Sequence, residues 1–148
     1  MAGSGSCPSS RLPGGLRRPL RLKGMTMTDK KRILYVQSSG IDTPMRLYSP
    51  FVLATVAVSM GVDATVYFLG KGLTVVKTGE ADKIQMGDFP PLSEVMQRAA
   101  DAGVNFMVCD QSSQLMGLSR GDYVDGVEVV GAATLNDLSL DADAVLSF

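Results

Sequence analysis

Short apolar runs alternate with helix-like segments along this chain from Lys30 onward. Five of these runs are rich in apolar and β-branched residues, as expected of strands buried on both faces, and they cover residues 32–37, 64–69, 104–108, 127–130 and 144–148. Strands that alternate with helices form parallel sheets. The pattern therefore predicts an α/β fold, a three-layer domain with about five mostly parallel strands and helices on both faces.

Capping and turn-forming residues indicate where the helices begin and end. Ser49 followed by Pro50 is typical of a helix N-cap with proline at the first helical position, and this helix is predicted to run to Met60. The spacing of apolar residues predicts three further helices, over residues 92–100, 112–118 and 134–140. Residues 73–91 form the least regular part of the predicted domain.

The first 26 residues differ from the rest of the chain in composition. They are rich in Gly, Ser, Pro and Arg and show no periodic apolar pattern, which predicts disorder. Their five basic residues and lack of acids are typical of a transit peptide, although their prolines and glycines fit an amphipathic helix poorly. We interpret residues 1–26 as a disordered tail or a mis-assigned start, with Met25 or Met27 as the true beginning, and residues 27–148 as a single domain.

Composition excludes several functional classes. Beyond residue 26 the chain has nine basic and fifteen acidic residues, which argues against direct nucleic-acid binding. No apolar run reaches the length of about 18 residues that suggests a membrane span. With two cysteines and no histidine, the chain cannot form an ordinary zinc site, and we predict neither a metal nor a cofactor. Free thiols indicate a reducing compartment, so the predicted location is the cytoplasm.

Cys109 is the one predicted catalytic residue. It follows a buried apolar strand and precedes the polar sequence Asp-Gln-Ser-Ser, which opens a predicted helix. A thiol at that junction faces unpaired backbone N–H groups and the positive end of the helix dipole, both of which favour the reactive thiolate. The negative charge of Asp110 opposes this effect, so we expect a moderately activated thiol.

Three further residues are candidates for supporting a thiolate at Cys109, namely Ser112, Gln111 and Lys71. Ser112 completes a Cys-x-x-Ser spacing and would donate a hydrogen bond to the sulfur, although its ordinary role would be that of helix N-cap. Lys71 follows the second strand, and its ordinary role would be that of a solvated loop charge. In a parallel sheet the loops that follow the strands meet at one edge, so residues 38–43, 71–77 and 109–113 are predicted to converge.

Two segments, Val108–Leu118 and Asp125–Leu135, together with the strand and helix order, resemble the DsrE/DsrF-like family. That family comprises small α/β proteins of sulfur metabolism, including subunits of the sulfur relay used in tRNA thiolation. The resemblance implies that Cys109 accepts sulfane sulfur as a persulfide and passes it to an acceptor thiol, as in a sulfurtransferase-like relay. It also implies donor and acceptor proteins as partners, and a homo-oligomer, either a trimer or a hexamer.

Two alternatives stay open at this point. In the first, Cys109 is buried and unreactive, and the protein is a catalytically silent oligomeric scaffold or binding subunit. In the second, the hydroxyl-rich loop at residues 38–43 binds the phosphate of a flavin or nucleotide at a helix start. The reactivity of the Cys109 thiol separates the first alternative from the sulfur carrier.

Overall fold

The computed structural model describes residues 29–148, so the predictions for residues 1–26, the segment that contains the second cysteine Cys7, lie outside it. Its centre is one five-stranded sheet in which every pair of neighbouring strands is parallel, in the order β4-β3-β2-β1-β5. The strands are β1 Arg32–Gln37, β2 Asp63–Phe68, β3 Asn105–Cys109, β4 Val127–Val130 and β5 Ala144–Ser147. The predicted α/β fold is confirmed.

Within residues 29–148, five α-helices connect the strands, and short 3-10 turns lie between these elements. The helices are α1 Tyr48–Ser59, α2 Leu73–Val76, α3 Leu92–Ala102, α4 Asp110–Met116 and α5 Ala132–Asp141. Helix α3 ends where Gly103 adopts a φ of 100°, a left-handed conformation that glycine tolerates best. The irregular segment predicted over residues 73–91 contains only α2 and one 3-10 turn.

The two faces of the sheet are covered unequally. Helices α1 and α3 pack on one face over a continuous apolar core, in which the rings of Phe51, Phe68 and Phe106 lie 5.6–6.0 Å apart. The opposite face carries a smaller buried cluster of Leu34, Tyr67 and Cys109, with leucines of α5 packed against it. Since α5 itself has no buried residue, this second face has the thinner cover.

The predicted start of the first long helix is wrong. Helix α1 begins at Tyr48, its N-cap residue is Leu47, and no side chain caps it, so Ser49 is not the N-cap. A 3-10 turn over Pro44–Arg46 leads directly into the helix, so residue 49 lies inside the helix and lacks the extended backbone typical of an N-cap residue. Pro50 is therefore the third helical residue, where its missing N–H costs no intrahelical hydrogen bond.

Candidate functional site

Cys109 is both the last residue of β3 and the N-cap residue of α4. Because strand and helix join without a loop, α4 begins at Asp110, two residues before the predicted start. Ser112 is therefore the third residue of the helix and not its N-cap, which corrects the role predicted from sequence. The first N–H groups of a helix have no intrahelical acceptor, so those of Gln111 and Ser112 are free to approach the Cys109 sulfur.

The Cys109 side chain is nearly enclosed, since the residue is 3% exposed. Burial by itself raises the pKa of the thiol, because a thiolate loses its hydration. Donors to the thiolate, namely the N–H and hydroxyl groups of Ser112, the Tyr67 hydroxyl and the Gln111 N–H, outweigh burial, so the pKa of Cys109 lies below its usual value. The site can thus hold a sulfur anion without a histidine or a metal.

Ser112 also joins α4 to the loop that follows β2. Its Oγ accepts a hydrogen bond from the N–H of Gly70 at 3.0 Å, and the side chain is buried. An oxygen that accepts from Gly70 still has its own proton to donate. Ser112 therefore links the backbone of the second strand's loop to the sulfur of the third strand.

Lys71 lies in the same loop, but its ammonium group is bound elsewhere. Its Nζ lies 2.8 Å from Oδ2 of Asp42, and both side chains are more than half exposed. This contact raises the pKa of Lys71 and lowers that of Asp42. Lys71 therefore faces the loop after β1, while the groups that hold the Cys109 sulfur belong to α4 and β2.

The three loops predicted to converge do lie together at one edge of the sheet. The first contacts the second, and the second contacts the third. Thr74 Oγ1 accepts the N–H of Ile41 at 3.1 Å, which joins residues 38–43 to residues 71–77. The Gly70–Ser112 hydrogen bond then brings the start of α4 against the same edge. A side chain at Gly40 would place its Cβ 2.6 Å from the carbonyl oxygen of Lys71, so the first two loops pack closely enough to require glycine.

Sequence reasoning missed Tyr67, because its approach to the thiol depends on which strands pair in the sheet. Side chains alternate between the faces of a strand, and the pairing of Phe68 with Val108 places Tyr67 and Cys109 on the same face of neighbouring strands. Tyr67 is fully buried, and burial raises its pKa, with further contributions from a hydrogen bond to the Cys109 thiolate and from the thiolate's charge. The hydroxyl therefore stays protonated, as a donor.

Two further buried hydroxyl groups, those of Ser113 and Tyr123, form hydrogen bonds next to the backbone of Cys109. Ser113 Oγ donates to the Cys109 carbonyl oxygen at 3.1 Å and lies 2.6 Å from the Tyr123 hydroxyl. These bonds fix the chain at the junction of strand and helix. They act on the carbonyl group of Cys109, whereas Ser112 and Tyr67 are donors to its sulfur when that sulfur is a thiolate.

The loop at residues 38–43 offers little to a phosphate. The N–H groups of Ser38 and Ser39 donate to the carbonyl of Phe148, and that of Thr43 donates to Gly40. The N–H of Ile41 is engaged by Thr74. Phosphate loops bind through free backbone N–H groups, and here most are already used, so the structure does not favour the flavin or nucleotide alternative.

Cys109 lines neither of two cavities among residues 29–148, although the smaller, of about 230 Å³, lies beside Met107 on the same face of the sheet. A cavity of about 510 Å³ opens beside Met96, Phe106 and Tyr123, and Cys109 does not line it. Within the same residues, no group of three or more Cys, Asp or Glu side chains is placed to hold a metal ion. No helix in this part of the chain has the length and hydropathy needed to cross a bilayer.

Comparisons with known sequences give two archaeal relatives. "Uncharacterized protein MJ0760" of Methanocaldococcus jannaschii is 27% identical over 114 residues, covering 76% of this chain. "Uncharacterized protein MK0008" of Methanopyrus kandleri is 26% identical over 93 residues, covering 63% of this chain and 71% of its own. The chain spans only 42% of the length of the Methanocaldococcus protein.

Two solved structures share the fold. The ychN protein from E. coli superposes with a TM-score of 0.66 at 19% identity, covering 81% of this chain and all of that one. The protein MTH1491 from Methanobacterium thermoautotrophicum gives a TM-score of 0.59 at 18% identity, with the same coverage. The DsrE/DsrF-like family itself matches residues 31–148, nearly the whole described part. The chain therefore belongs to the DsrE/DsrF-like family.

Proposed function

We propose that this protein is a sulfur carrier that accepts sulfane sulfur as a persulfide on Cys109 and passes it to an acceptor thiol. Its family is associated with sulfur relay. The observation that carries the proposal is the set of hydrogen-bond donors around a buried sulfur, which lower its pKa despite burial. A cysteine that serves only as core packing stays a neutral thiol, so its packing role does not require donors that favour the charged form.

Two displacements account for the transfer. In the first, the Cys109 thiolate attacks the outer sulfur of a donor persulfide, so that a new S–S bond forms on Cys109 and the donor leaves as a thiolate. In the second, an acceptor thiolate attacks the outer sulfur now held on Cys109, and Cys109 leaves as a thiolate. One S–S bond forms and one breaks in each step, so neither needs an external oxidant or reductant.

The same hydrogen bonds serve both displacements. A lowered pKa increases the thiolate fraction available for the first attack at neutral pH. It also makes Cys109 a better leaving group in the second step, since low-pKa thiolates leave faster. Cys109 is the one free cysteine among residues 29–148, so this part of the chain holds no second thiol to displace the sulfur as an internal disulfide.

Access to the sulfur sets a further requirement. Because Cys109 is 3% exposed, a donor reaches it only when covering side chains move aside. The cover on this face comes from Leu135 and Leu138 of α5, a helix without buried residues of its own. We expect α5 to be the element that moves away from the sheet and exposes the sulfur, because few apolar contacts hold it there.

Homo-oligomerisation, as a trimer or hexamer, is part of the proposal. Helix α1 contains no charged residue, and its outer side exposes Val52, Leu53 and Val56, which the exposed Met60 follows at the end of the helix. A contiguous exposed apolar surface of this kind is typical of a protein interface. Light scattering of the purified full chain measures the assembly, and a monomer at all concentrations would contradict this part.

The test of the carrier function compares two cysteine variants of the full chain. Protein treated with a sulfane sulfur donor and freed of excess reagent is assayed for bound sulfane sulfur by cyanide release as thiocyanate. Wild type and Cys7→Ser should each hold about one equivalent, whereas Cys109→Ser should hold none and keep the wild-type circular dichroism spectrum. Equal loading of all three proteins, or no loading of any, would contradict the proposal.

The scaffold alternative has one observation in its favour, namely the low exposure of Cys109. It predicts a thiol that resists iodoacetamide in the folded protein at every pH and reacts only after denaturation. The carrier predicts slow but measurable alkylation of the folded protein, with a rate that rises with pH to a plateau.

A further inference from the structure

Two buried side-chain polar atoms lack a hydrogen-bond partner among residues 29–148, the Gln37 Oε1 and the Tyr67 hydroxyl. Gln37 still donates through its Nε2 to the carbonyl of Ser39 at 2.7 Å. Tyr67 has no such compensation, and its side chain is fully buried in the middle of the sheet. A buried hydroxyl without a partner is costly to the fold, so its presence calls for an explanation.

Within the buried cluster that contains Tyr67, Cys109 carries the one side-chain acceptor. Its buried neighbours on this face are Leu34 and Cys109, and the partly buried residues around them are apolar, namely Val36, Leu69, Met107, Val130, Leu135, Leu138 and Ala142. A neutral thiol is a weak acceptor, which agrees with the absence of an ordinary hydrogen bond. A thiolate accepts a charge-assisted bond from the same hydroxyl, and such bonds are about twice as strong as neutral ones.

We propose that Tyr67 is a positioning residue whose hydroxyl donates a hydrogen bond to the Cys109 sulfur only when that sulfur is an anion. The hydroxyl is unpaired while Cys109 is a neutral thiol and donates to the sulfur when it is a thiolate. The hydrogen bond from Tyr67 is therefore strong in two states of Cys109. The first is the thiolate that attacks the donor, and the second is the thiolate that leaves when sulfur passes to an acceptor. The second of these roles rests on the carrier function proposed above, whereas the first depends only on the ionisation of Cys109.

The ionisation behaviour of both groups supports this assignment. Burial keeps the pKa of Tyr67 high, and the nearby Cys109 raises it further, so the phenol does not compete with the thiol for loss of a proton. Conversely, the hydrogen bond from Tyr67 lowers the pKa of Cys109. The donor stays a donor throughout the pH range in which the thiol ionises.

The test uses Tyr67→Phe, with Tyr35→Phe as the matched control. Tyr35 is a buried β1 tyrosine of the opposite face, and its hydroxyl donates to the Leu53 carbonyl at 3.3 Å. Rates of iodoacetamide alkylation of the Cys109 peptide are measured against pH in the full chain, together with the thermal unfolding temperature. For Tyr67→Phe we expect the midpoint of the pH profile to rise by about half to one pH unit, and the rate at pH 7 to fall about two- to threefold.

The melting temperature separates a positioning role from a structural one. Removing an unpaired buried hydroxyl should leave the melting temperature of Tyr67→Phe equal to wild type or higher, while Tyr35→Phe should melt lower with an unchanged pH profile. An unchanged pH profile for Tyr67→Phe would overturn the inference, and so would a loss of stability or failure to fold. If wild type fails to load sulfur and the Tyr67→Phe profile still shifts, the carrier function falls and the role of Tyr67 stands.

Discussion

Replacing Ser112 with alanine removes one hydrogen bond to the Cys109 sulfur and leaves the backbone donors in place. The Ser112 side chain is buried, so water cannot readily replace the lost hydroxyl. A hydrogen bond to a charged group contributes roughly 1.5–3 kcal/mol. At about 1.4 kcal/mol for each pKa unit, and with the Ser112 and Gln111 N–H groups retained, the pKa of Cys109 should rise by about one unit.

This shift predicts two opposite changes in the alkylation profile of Ser112→Ala. At pH values below the pKa, the thiolate fraction falls about tenfold, but a more basic thiolate is about threefold more nucleophilic. The rate at neutral pH should therefore fall about threefold, while the plateau rate at high pH should rise about threefold. A general loosening of the site would instead raise the rate at every pH.

The matched control is Ser113→Ala, because Ser113 lies next in the same helix and is also buried. Its hydroxyl binds the Cys109 carbonyl and the Tyr123 hydroxyl, away from the sulfur. We expect Ser113→Ala to lose about 1–3 kcal/mol of unfolding free energy, with the midpoint of the pH profile unchanged. Equal midpoints for Ser112→Ala and wild type would refute the reasoning about the sulfur site.

Three further predictions follow from the structure. The pKa of Cys109 is lower in the folded protein than its ordinary value of 9.0, so the unfolding free energy of wild type should rise as the pH increases from the folded pKa to pH 9. This contribution is lost when the pH falls below the folded pKa. The unfolding free energy of Cys109→Ser should depend less on pH over the same range. Gly72→Ala would place a Cβ 2.0 Å from the carbonyl oxygen of Gln37 and should cost about 2–3 kcal/mol in urea denaturation, while Gly121→Ala, with no atom within 4 Å, should change little. Lys71→Met should move the midpoint of the alkylation profile by less than about 0.3 pH units, because its exposed ammonium is already bound to a carboxylate; a shift as large as one unit would show that Lys71 supports the thiolate directly.

The strands could be predicted closely because each is a short apolar run between polar turns. β1 and β4 have the predicted bounds, and the other three strands differ from prediction by one residue at one or both ends. Helix starts were harder to predict, since they depend on the path by which the chain enters. Ser49 looks like a cap in the sequence, yet the preceding 3-10 turn begins α1 ahead of it.

The candidate site was predictable only where its residues are adjacent in sequence. Cys109 and the N–H groups that follow it could be placed at a helix start from the local pattern alone. Tyr67 comes to the thiol through the pairing of β2 with β3, and a single sequence does not specify which strands are neighbours. The Gly70–Ser112 hydrogen bond and the capture of Lys71 by Asp42 likewise depend on loop packing across the sheet.

The most direct test of the carrier function follows one sulfur atom on and off Cys109. The 148-residue chain is incubated with an isotopically labelled sulfane sulfur donor, freed of excess donor, exposed to a small acceptor thiol, and sampled at each stage by peptide mass spectrometry after alkylation. We predict that the Cys109 peptide gains one labelled sulfur atom, about 34 Da for the heavy isotope, and that the acceptor removes it as the acceptor persulfide forms. A Cys109 peptide that never gains the label, or one that gains it and keeps it in the presence of the acceptor, would contradict the sulfur carrier.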